Sequence, residues 1–279
     1  MLLRYSLHLP VVCSHDSRSR NTSRRSSSDT SGYIKFRTRY HENLRYLRAL
    51  TIIDPKTNPE DLPLPNDVDH IMNTLAFLKS HSFSDADIPR LNFLLPQLFT
   101  TAVAPSDFAP VFRFLSEDLA ATQSDSRALV HRCPKLLFSH VDLCLRPTLQ
   151  FLRQIGIRDL NRPTTRNAHL LNTRVNKLHA KVEFLQELGF TYEEAVRACA
   201  RLPAIFGYDI ENNLWPKYVY FVKEMERDLE ELKNFPQYFG FSLKDRIVPR
   251  HLHLKERDVR IPLNRMLMWA DQKFYAKWK

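Results

Sequence analysis

Apolar side chains recur through most of the chain with the period of an α-helix. A clear example is the segment 145–156, where apolar residues are separated by three or four positions and so share one helix face. These residues are Leu145, Leu149, Leu152 and Ile155. The segment is predicted to be an amphipathic helix that has Pro147 in its first turn and ends near Gly156.

This helical pattern is repeated at nearly constant intervals. A Phe-Leu or Phe-Val pair recurs at spacings of 37, 37, 33 and 37 residues. The pairs are Phe77-Leu78, Phe114-Leu115, Phe151-Leu152, Phe184-Leu185 and Phe221-Val222. Such a unit cannot bury its own apolar face, so neighbouring units must stack. The sequence therefore predicts an all-α fold, an α-solenoid of about five helical triplets of about 33–38 residues each.

Each unit is expected to contain a second helix and a short third one. Thr191 and Glu194 have the spacing of a capping box, which starts a helix, and Pro203 ends that helix and begins a short one. In the third unit the landmark of a proline followed by apolar residues has degenerated to residues 167–171. The local geometry of the third unit is expected to depart from the others.

The N-terminal residues differ in composition from the rest. Residues 17–31 are rich in Ser and Arg and lack apolar periodicity, which is typical of disorder. Residues 1–35 are predicted to be a disordered organelle transit peptide, and a basic arm that contacts nucleic acid is the alternative. The remaining predictions are an N-terminal linker with a short helix at 36–66, the helical-repeat domain at 67–258 and a basic C-terminal helix or tail at 259–279.

Composition excludes several classes of protein. Five glycines in 279 residues argue against β-sandwiches, β-barrels and glycine-rich phosphate loops. The apolar runs are much shorter than the roughly 18 residues of a membrane span, so no membrane association is expected. The four cysteines are expected to be reduced. His251 and His253 lack a Cys or carboxylate partner at zinc-site spacing, so no metal site is expected. The sequence has no phosphate loop, nucleophile elbow or His-Glu-x-x-His motif, so no cofactor or catalytic residue is expected and the protein is not predicted to be an enzyme.

Charge is concentrated in blocks. Residues 151–181 contain 7 basic and 1 acidic residue, 182–240 contain 6 and 11, and 241–279 contain 10 and 4. Two local basic fields indicate nucleic-acid contact better than the net charge of +10 does. The predicted nucleic-acid-binding residues are Arg153, Arg158, Arg162, Arg166, Arg174, Lys177, Lys181, Lys244, Arg246, Arg250, Lys255 and Arg257, and Arg260 lies in the same C-terminal block. The spacing of Arg174, Lys177 and Lys181 predicts that these three share one helix face.

The C-terminal motif at 235–250, FPQYFGFSLKDRIVPR, closely resembles the mTERF family of organellar transcription termination factors. The helix-ending Leu188-Gly189 and the Pro-x-Leu-Leu landmark support this resemblance, which extends over about 67–279. The segment from Ile210 to Arg250 is similar to the plant chloroplast members. The resemblance implies a curved helical stack that binds duplex DNA along a positively charged inner path and has no catalytic residues. Some members terminate transcription, and others act in RNA processing or intron splicing.

Three functions are compatible with the sequence. The resemblance favours a chloroplast transcription termination or regulation factor that binds double-stranded DNA. The alternatives are an RNA-binding factor for splicing or maturation of organellar transcripts and a protein-interaction scaffold that uses the acidic segment 182–240. The expected partners are organellar double-stranded DNA or structured RNA and the organellar transcription machinery, and the protein is expected to be a monomer. Chloroplast localisation is predicted, with the mitochondrion as the alternative.

Overall fold

The computed structural model describes residues 30–279, with side chains described from residue 39 onward. Most of the predicted transit peptide at 1–35 lies outside the described residues, and residues 30–35 form the start of the first helix. That helix continues to Ala49, so most of the predicted linker up to that point is helical. Its residues Leu44 and Leu47 are buried, and the helix packs against the second helix.

The described part of the chain is built from helices, which confirms the all-α prediction. The α-helices are α1 (Thr30–Ala49), α2 (Pro65–Ser80), α3 (Ile88–Leu94), α4 (Pro105–Glu117), α5 (Gln123–Arg132), α6 (Arg146–Gln154), α7 (Thr165–Leu171), α8 (Val175–Glu187), α9 (Tyr192–Arg201), α10 (Trp215–Lys223), α11 (Leu229–Asn234), α12 (Val248–Lys255), α13 (Leu263–Met268) and α14 (Asp271–Lys277). We name the pairs α2–α3, α4–α5, α6–α7, α8–α9 and α10–α11 the first to fifth units.

The units stack in two layers. The first helices of successive units pack side by side, as α2 does on α4 and α6 on α8, and the second helices form the other layer, as α5 does with α7. Aromatic contacts join neighbouring first helices: the ring centroids of Phe77 and Phe108 are 5.1 Å apart, and those of Phe151 and His179 are 4.3 Å apart. The apolar core therefore runs continuously between units, as the repeat predicted.

Prolines near the start of the first helices produce a recurring local distortion. Pro147, Pro216 and Pro249 each occupy the second position of an α-helix that follows a five-residue π-helical turn. Proline lacks an N–H group and its ring collides with the carbonyl four residues earlier, and a widened turn relieves both problems. Pro147 thus lies in the first turn of α6 as predicted. Pro110 lies inside α4 without such a turn.

Short 3₁₀ turns follow the second helix in four of the five units. They span Pro96–Phe99, Pro134–Phe138, Pro203–Gly207 and Pro236–Gly240. The third unit lacks one, because no proline interrupts its second helix. The degenerate landmark at 167–171 is part of α7 itself, with Leu170 and Leu171 buried, and only three residues separate α7 from α8. The third unit is therefore the irregular one, and its landmark is not a third helix.

The predicted basic tail at 259–279 contains two short helices that close the C-terminal end of the stack. Leu263, Met266 and Leu267 of α13 and Phe274 of α14 are buried in the common core. This segment therefore belongs structurally to the helical domain.

The cysteines of the described residues are free thiols. Cys133 and Cys199 are buried and Cys144 is partly buried, while Cys13 lies outside the described residues. Burial raises the pKa of the Cys199 thiol to about 12.

Candidate nucleic-acid interface

The predicted basic block at 151–181 divides into two groups in the structure. Arg158, Arg162 and Arg166 line one groove of about 300 Å³, which we name the third-unit groove. Its walls are the connection between α6 and α7, the start of α7, and Ala200 and Pro203 at the end of the fourth unit. The second group, Arg174, Lys177 and Lys181, lies at the start of α8.

Local hydrogen bonds hold the connection that carries these arginines. The Asn167 side chain donates from Nδ2 to the carbonyl oxygens of Asp159, at 2.8 Å, and Arg162, at 3.0 Å. The Thr164 hydroxyl caps α7 by accepting from the backbone N–H of Asn167 at 3.1 Å. The chain reverses at Gly156, whose φ of +86° strongly favours glycine. The arginine side chains therefore project from a backbone that is fixed on both sides.

The electrostatic environment of the third-unit groove is strongly positive. Of the described residues that line it, Asp159 is the single acid, and its carboxylate lies 3.6 Å from the Arg162 guanidinium in an exposed pair. Among the described residues, Arg158 and Arg166 have no carboxylate within 4 Å and are exposed. Arg153 precedes the groove and donates to the carbonyl oxygen of Asp118 at 2.8 Å. Two arginines are thus left to bind an anion, beside a third that is only weakly paired.

Arg174, Lys177 and Lys181 are predicted to share one helix face, but the structure does not place all three on α8. Arg174 is the N-cap residue and has an extended backbone, so it lies outside the helix. Lys177 is exposed, whereas Lys181 is half-buried. Burial lowers the pKa of the Lys181 ammonium; the charge of Asp209 opposes this shift, and that of Lys177 adds to it. Only Arg174 and Lys177 are fully available to a ligand here.

The C-terminal basic block is also divided. Lys244 lies in the π-helical turn before α12, whereas Lys255, Arg257 and Arg260 lie at the other end of that helix. Arg246 is half-buried, donates to the carbonyl oxygen of Leu267 at 3.2 Å and lies over the Phe241 ring. The structure therefore does not gather this block into one surface.

Arg250 is predicted to bind nucleic acid, but the structure buries its side chain between helices, where a phosphate cannot reach it. It is 1% exposed, and its guanidinium donates to the carbonyl oxygens of Met266 and Trp269. It also pairs with Asp271 and lies over the Phe274 ring, with 4.6 Å from Cζ to the ring centroid. Arg250 therefore binds α13 and α14 to α12.

Arg250 occupies a repeat position that sequence reasoning missed. The residue directly after the proline at the start of α6, α10 and α12 is buried and donates a hydrogen bond to a backbone carbonyl of another element. Thr148 donates to the Thr173 carbonyl at 2.7 Å, and the Lys217 ammonium donates to the Phe239 carbonyl at 2.7 Å. Carbonyls at helix ends lack partners within the helix and favour a donor or a cation. The sequence signal for this position is that it directly follows Pro147, Pro216 or Pro249.

Acidic connections flank the third-unit groove. The connection 153–166 contains four basic residues and one acidic residue. The corresponding stretch after α4, 117–125, contains three acidic and no basic residues, that after α8, 187–197, contains three and one, and that after α10, 223–231, contains five and two. The groove is thus an isolated positive site along this edge of the stack.

The two histidines considered for a metal site have separate partners. His251 Nδ1 lies 2.8 Å from the Tyr220 hydroxyl, and His253 Nε2 is hydrogen-bonded to the carbonyl of Trp278. Within residues 39–279, no three His, Cys, Asp or Glu side chains are placed to hold a metal ion. Among the described helices, none has the length and apolarity needed to cross a bilayer.

Comparison with known families agrees with this helical architecture. The mTERF family model matches residues 122–275, which is more than half of the chain and extends from the start of α5 into α14. The chain belongs to the mTERF family. The matched residues include the third-unit groove, the block 151–181 and the C-terminal block up to residue 275, so the candidate interface lies within the family domain.

Several curated plant proteins resemble this mTERF chain. It is 31% identical over 118 residues to transcription termination factor MTERF2, chloroplastic, of Arabidopsis thaliana, covering 42% of this chain and 18% of that protein. It is 28% identical over 130 residues to MTERF5, chloroplastic, of the same plant, covering 47% and 26%. The match to MTERF4, chloroplastic, of Zea mays is 31% over 98 residues, covering 35% and 20%. The chain therefore spans about a quarter or less of the length of these relatives.

Proposed function

We propose that this mTERF protein binds nucleic acid in the chloroplast and regulates transcription there, acting as a termination factor that remains bound to duplex DNA. The observation that carries the proposal is the third-unit groove, where Arg158 and Arg166 lie exposed without a carboxylate partner in residues 39–279. Family membership and the names of the plant relatives support the proposal.

The available cations are suited to a phosphate backbone rather than to one base sequence. Guanidinium groups pair with phosphate oxygens, and such contacts set affinity and register without reading bases. Duplex DNA and structured RNA both offer this chemistry. RNA binding for transcript splicing or maturation is therefore the result that the first experiment must distinguish from DNA binding.

The experiment is a crosslink and pull-down of the tagged protein from isolated chloroplasts, with the recovered DNA and RNA sequenced from one sample. The expected result is a DNA peak near the end of a transcription unit. Enrichment of one intron or precursor RNA without DNA would replace termination by RNA maturation. Enrichment of neither nucleic acid would overturn the proposal and favour a protein-interaction scaffold.

A charge-reversal variant tests the basic surface at the start of α8 separately. Arg174→Glu combined with Lys177→Glu is expected to weaken duplex binding by at least tenfold near physiological salt, because two phosphate contacts become repulsive. Lys181 is left unchanged, because it is half-buried and its reversal would disturb packing. The matched control reverses the exposed Lys223 and Arg132 of other units. Equal losses in both variants would show that net charge alone sets the affinity.

Localisation is tested with the full chain fused to a fluorescent protein in plant cells. Residues 1–48 hold 10 basic and 3 acidic residues, a composition typical of an organelle leader. Chloroplast fluorescence is expected. Fluorescence confined to mitochondria would retain nucleic-acid binding but move the proposed target to the other organellar genome.

A further inference from the structure

We propose that the third-unit groove is a subsite for a single backbone phosphate, contacted jointly by Arg158, Arg162 and Arg166. This inference rests on the proposed function and deepens it, since it states how many phosphates the three arginines share. The charge count alone assigns each arginine its own contact. The structure instead brings the three side chains to one groove of about 300 Å³.

The convergence follows from the irregular third unit. Arg158 and Arg162 lie in the connection after α6, whereas Arg166 lies in the first turn of α7. Asn167 joins these elements by donating to the carbonyls of Asp159 and Arg162. Because the backbone is fixed before any ligand arrives, little conformational entropy is lost there on binding. Guanidinium forks from different backbone positions then surround one set of phosphate oxygens.

The surrounding charges limit the groove to one contact. The second-unit stretch 117–125 and the fourth-unit stretch 187–197, on either side, are both net acidic. A phosphodiester backbone that ran along this edge would meet those carboxylates before and after the groove. Repulsion by like charges therefore favours a backbone that crosses the edge at the third unit over one that follows it.

The salt dependence of binding counts the phosphates. For duplex DNA, the slope of log K against log salt changes by about 0.9 for each phosphate contact that is lost. The triple variant Arg158→Ala/Arg162→Ala/Arg166→Ala is expected to reduce the slope by about 0.9, because its three arginines share one phosphate. Three separate contacts would reduce the slope by about 2.7. The probe is a 20-base-pair DNA duplex, with an RNA duplex of the same sequence in parallel, titrated with the full chain by fluorescence anisotropy.

The matched control removes the same charge elsewhere. Arg132→Ala/Arg197→Ala/Lys223→Ala removes three exposed cations of the second, fourth and fifth units. Its slope is expected to equal that of the wild type, and thermal unfolding is expected to show both triple variants folded. An unchanged slope in the groove variant, a reduction of about 1.8 or more, or an equal reduction in the control would each overturn the single-phosphate subsite. A wild type that binds neither duplex would overturn the proposed function itself.

Discussion

The third and fifth units each consist of a first and a second helix in the same arrangement, but they place their cations differently. In the fifth unit, Lys217 and Arg227 are buried, at 5% and 8% exposure, and donate to the carbonyls of Phe239 and Ile261. In the third unit, the buried position that corresponds to Lys217 is the neutral Thr148, and the arginines lie on the surface. The fifth unit thus uses cations to join layers, whereas the third unit leaves them available.

This difference shows that position in the repeat decides what a cation does. A cation directly after the proline of α10 or α12 points into the stack, where backbone carbonyls accept its hydrogen bonds. A cation in the connection after a first helix reaches solvent unless a neighbouring unit supplies an acceptor. Arg227 has such an acceptor in the Ile261 carbonyl and also pairs with Glu231 of its own unit, whereas Arg158 has no acceptor among the described residues.

The largest expected loss of stability follows the substitution of Arg250, the most buried of these cations. Arg250→Ala is expected to lower the free energy of unfolding by about 3 kcal/mol, because the carbonyls of Met266 and Trp269 lose their donors and a cavity forms. Urea unfolding followed by circular dichroism measures the change. The control is Lys244→Ala in the same segment, where the exposed side chain is expected to change stability by less than about 0.5 kcal/mol. Similar stabilities for the two variants would contradict the joining role of Arg250.

The sequence predicted most of the fold but could not separate these two uses of charge. Period 3.6 and the recurring Phe-Leu pairs are set by burial, and the structure buries Leu78, Leu115, Leu152 and Leu185 completely. A charge count treats Arg158 and Arg250 alike, because it contains no information on which direction a side chain takes. The position of Arg250 directly after Pro249 supplies that information. The shared groove of Arg158 and Arg166 depends on contacts between units, which local periodicity does not specify.

The ion pair between Arg127 and Asp87 extends the comparison to the first two units and predicts a pH dependence. Burial raises the pKa of Asp87, but hydrogen bonds from Arg127 and Ser84 outweigh this and hold it at about 2, below its usual 3.8. Because the pKa is depressed in the folded state, the stabilisation is present above about pH 4 and is lost as the pH falls towards 2. Its size is about 2 kcal/mol.

Asp87→Asn tests this by removing the charge without a large change in volume. The variant is expected to be less stable than the wild type by about 2 kcal/mol at pH 7, with the difference shrinking below pH 4. Urea midpoints measured at intervals from pH 7 to pH 2 give the curve. A difference that stays constant over this range would mean that packing rather than charge joins the two units.

A smaller effect is expected at Lys217 in the fifth unit. Lys217→Met keeps the length of the side chain but removes the donor to Asn213 Oδ1 and to the Phe239 carbonyl, both at 2.7 Å. Burial already lowers the pKa of this ammonium, so the methionine recovers part of the loss. The expected cost is about 1 to 2 kcal/mol in urea unfolding. Exposed Lys223 on the same helix is the control, and an equal cost for Lys223→Met would contradict the role of the buried hydrogen bonds.

The smallest effect is expected at Lys181, which takes the same repeat position in the fourth unit but has an alanine, Ala180, before it instead of proline. Its ammonium is half-buried, and no hydrogen bond to a carbonyl is found for it in the described part of the chain. Burial lowers the pKa of Lys181, which means that the surroundings do not stabilise its charged form. Replacing the ammonium by a methionine side chain therefore removes no stabilising interaction. Lys181→Met is therefore expected to change the free energy of unfolding by less than about 0.5 kcal/mol. A loss of stability as large as that of Lys217→Met would show that Lys181 joins the layers, as Lys217 does, and is not part of the candidate interface.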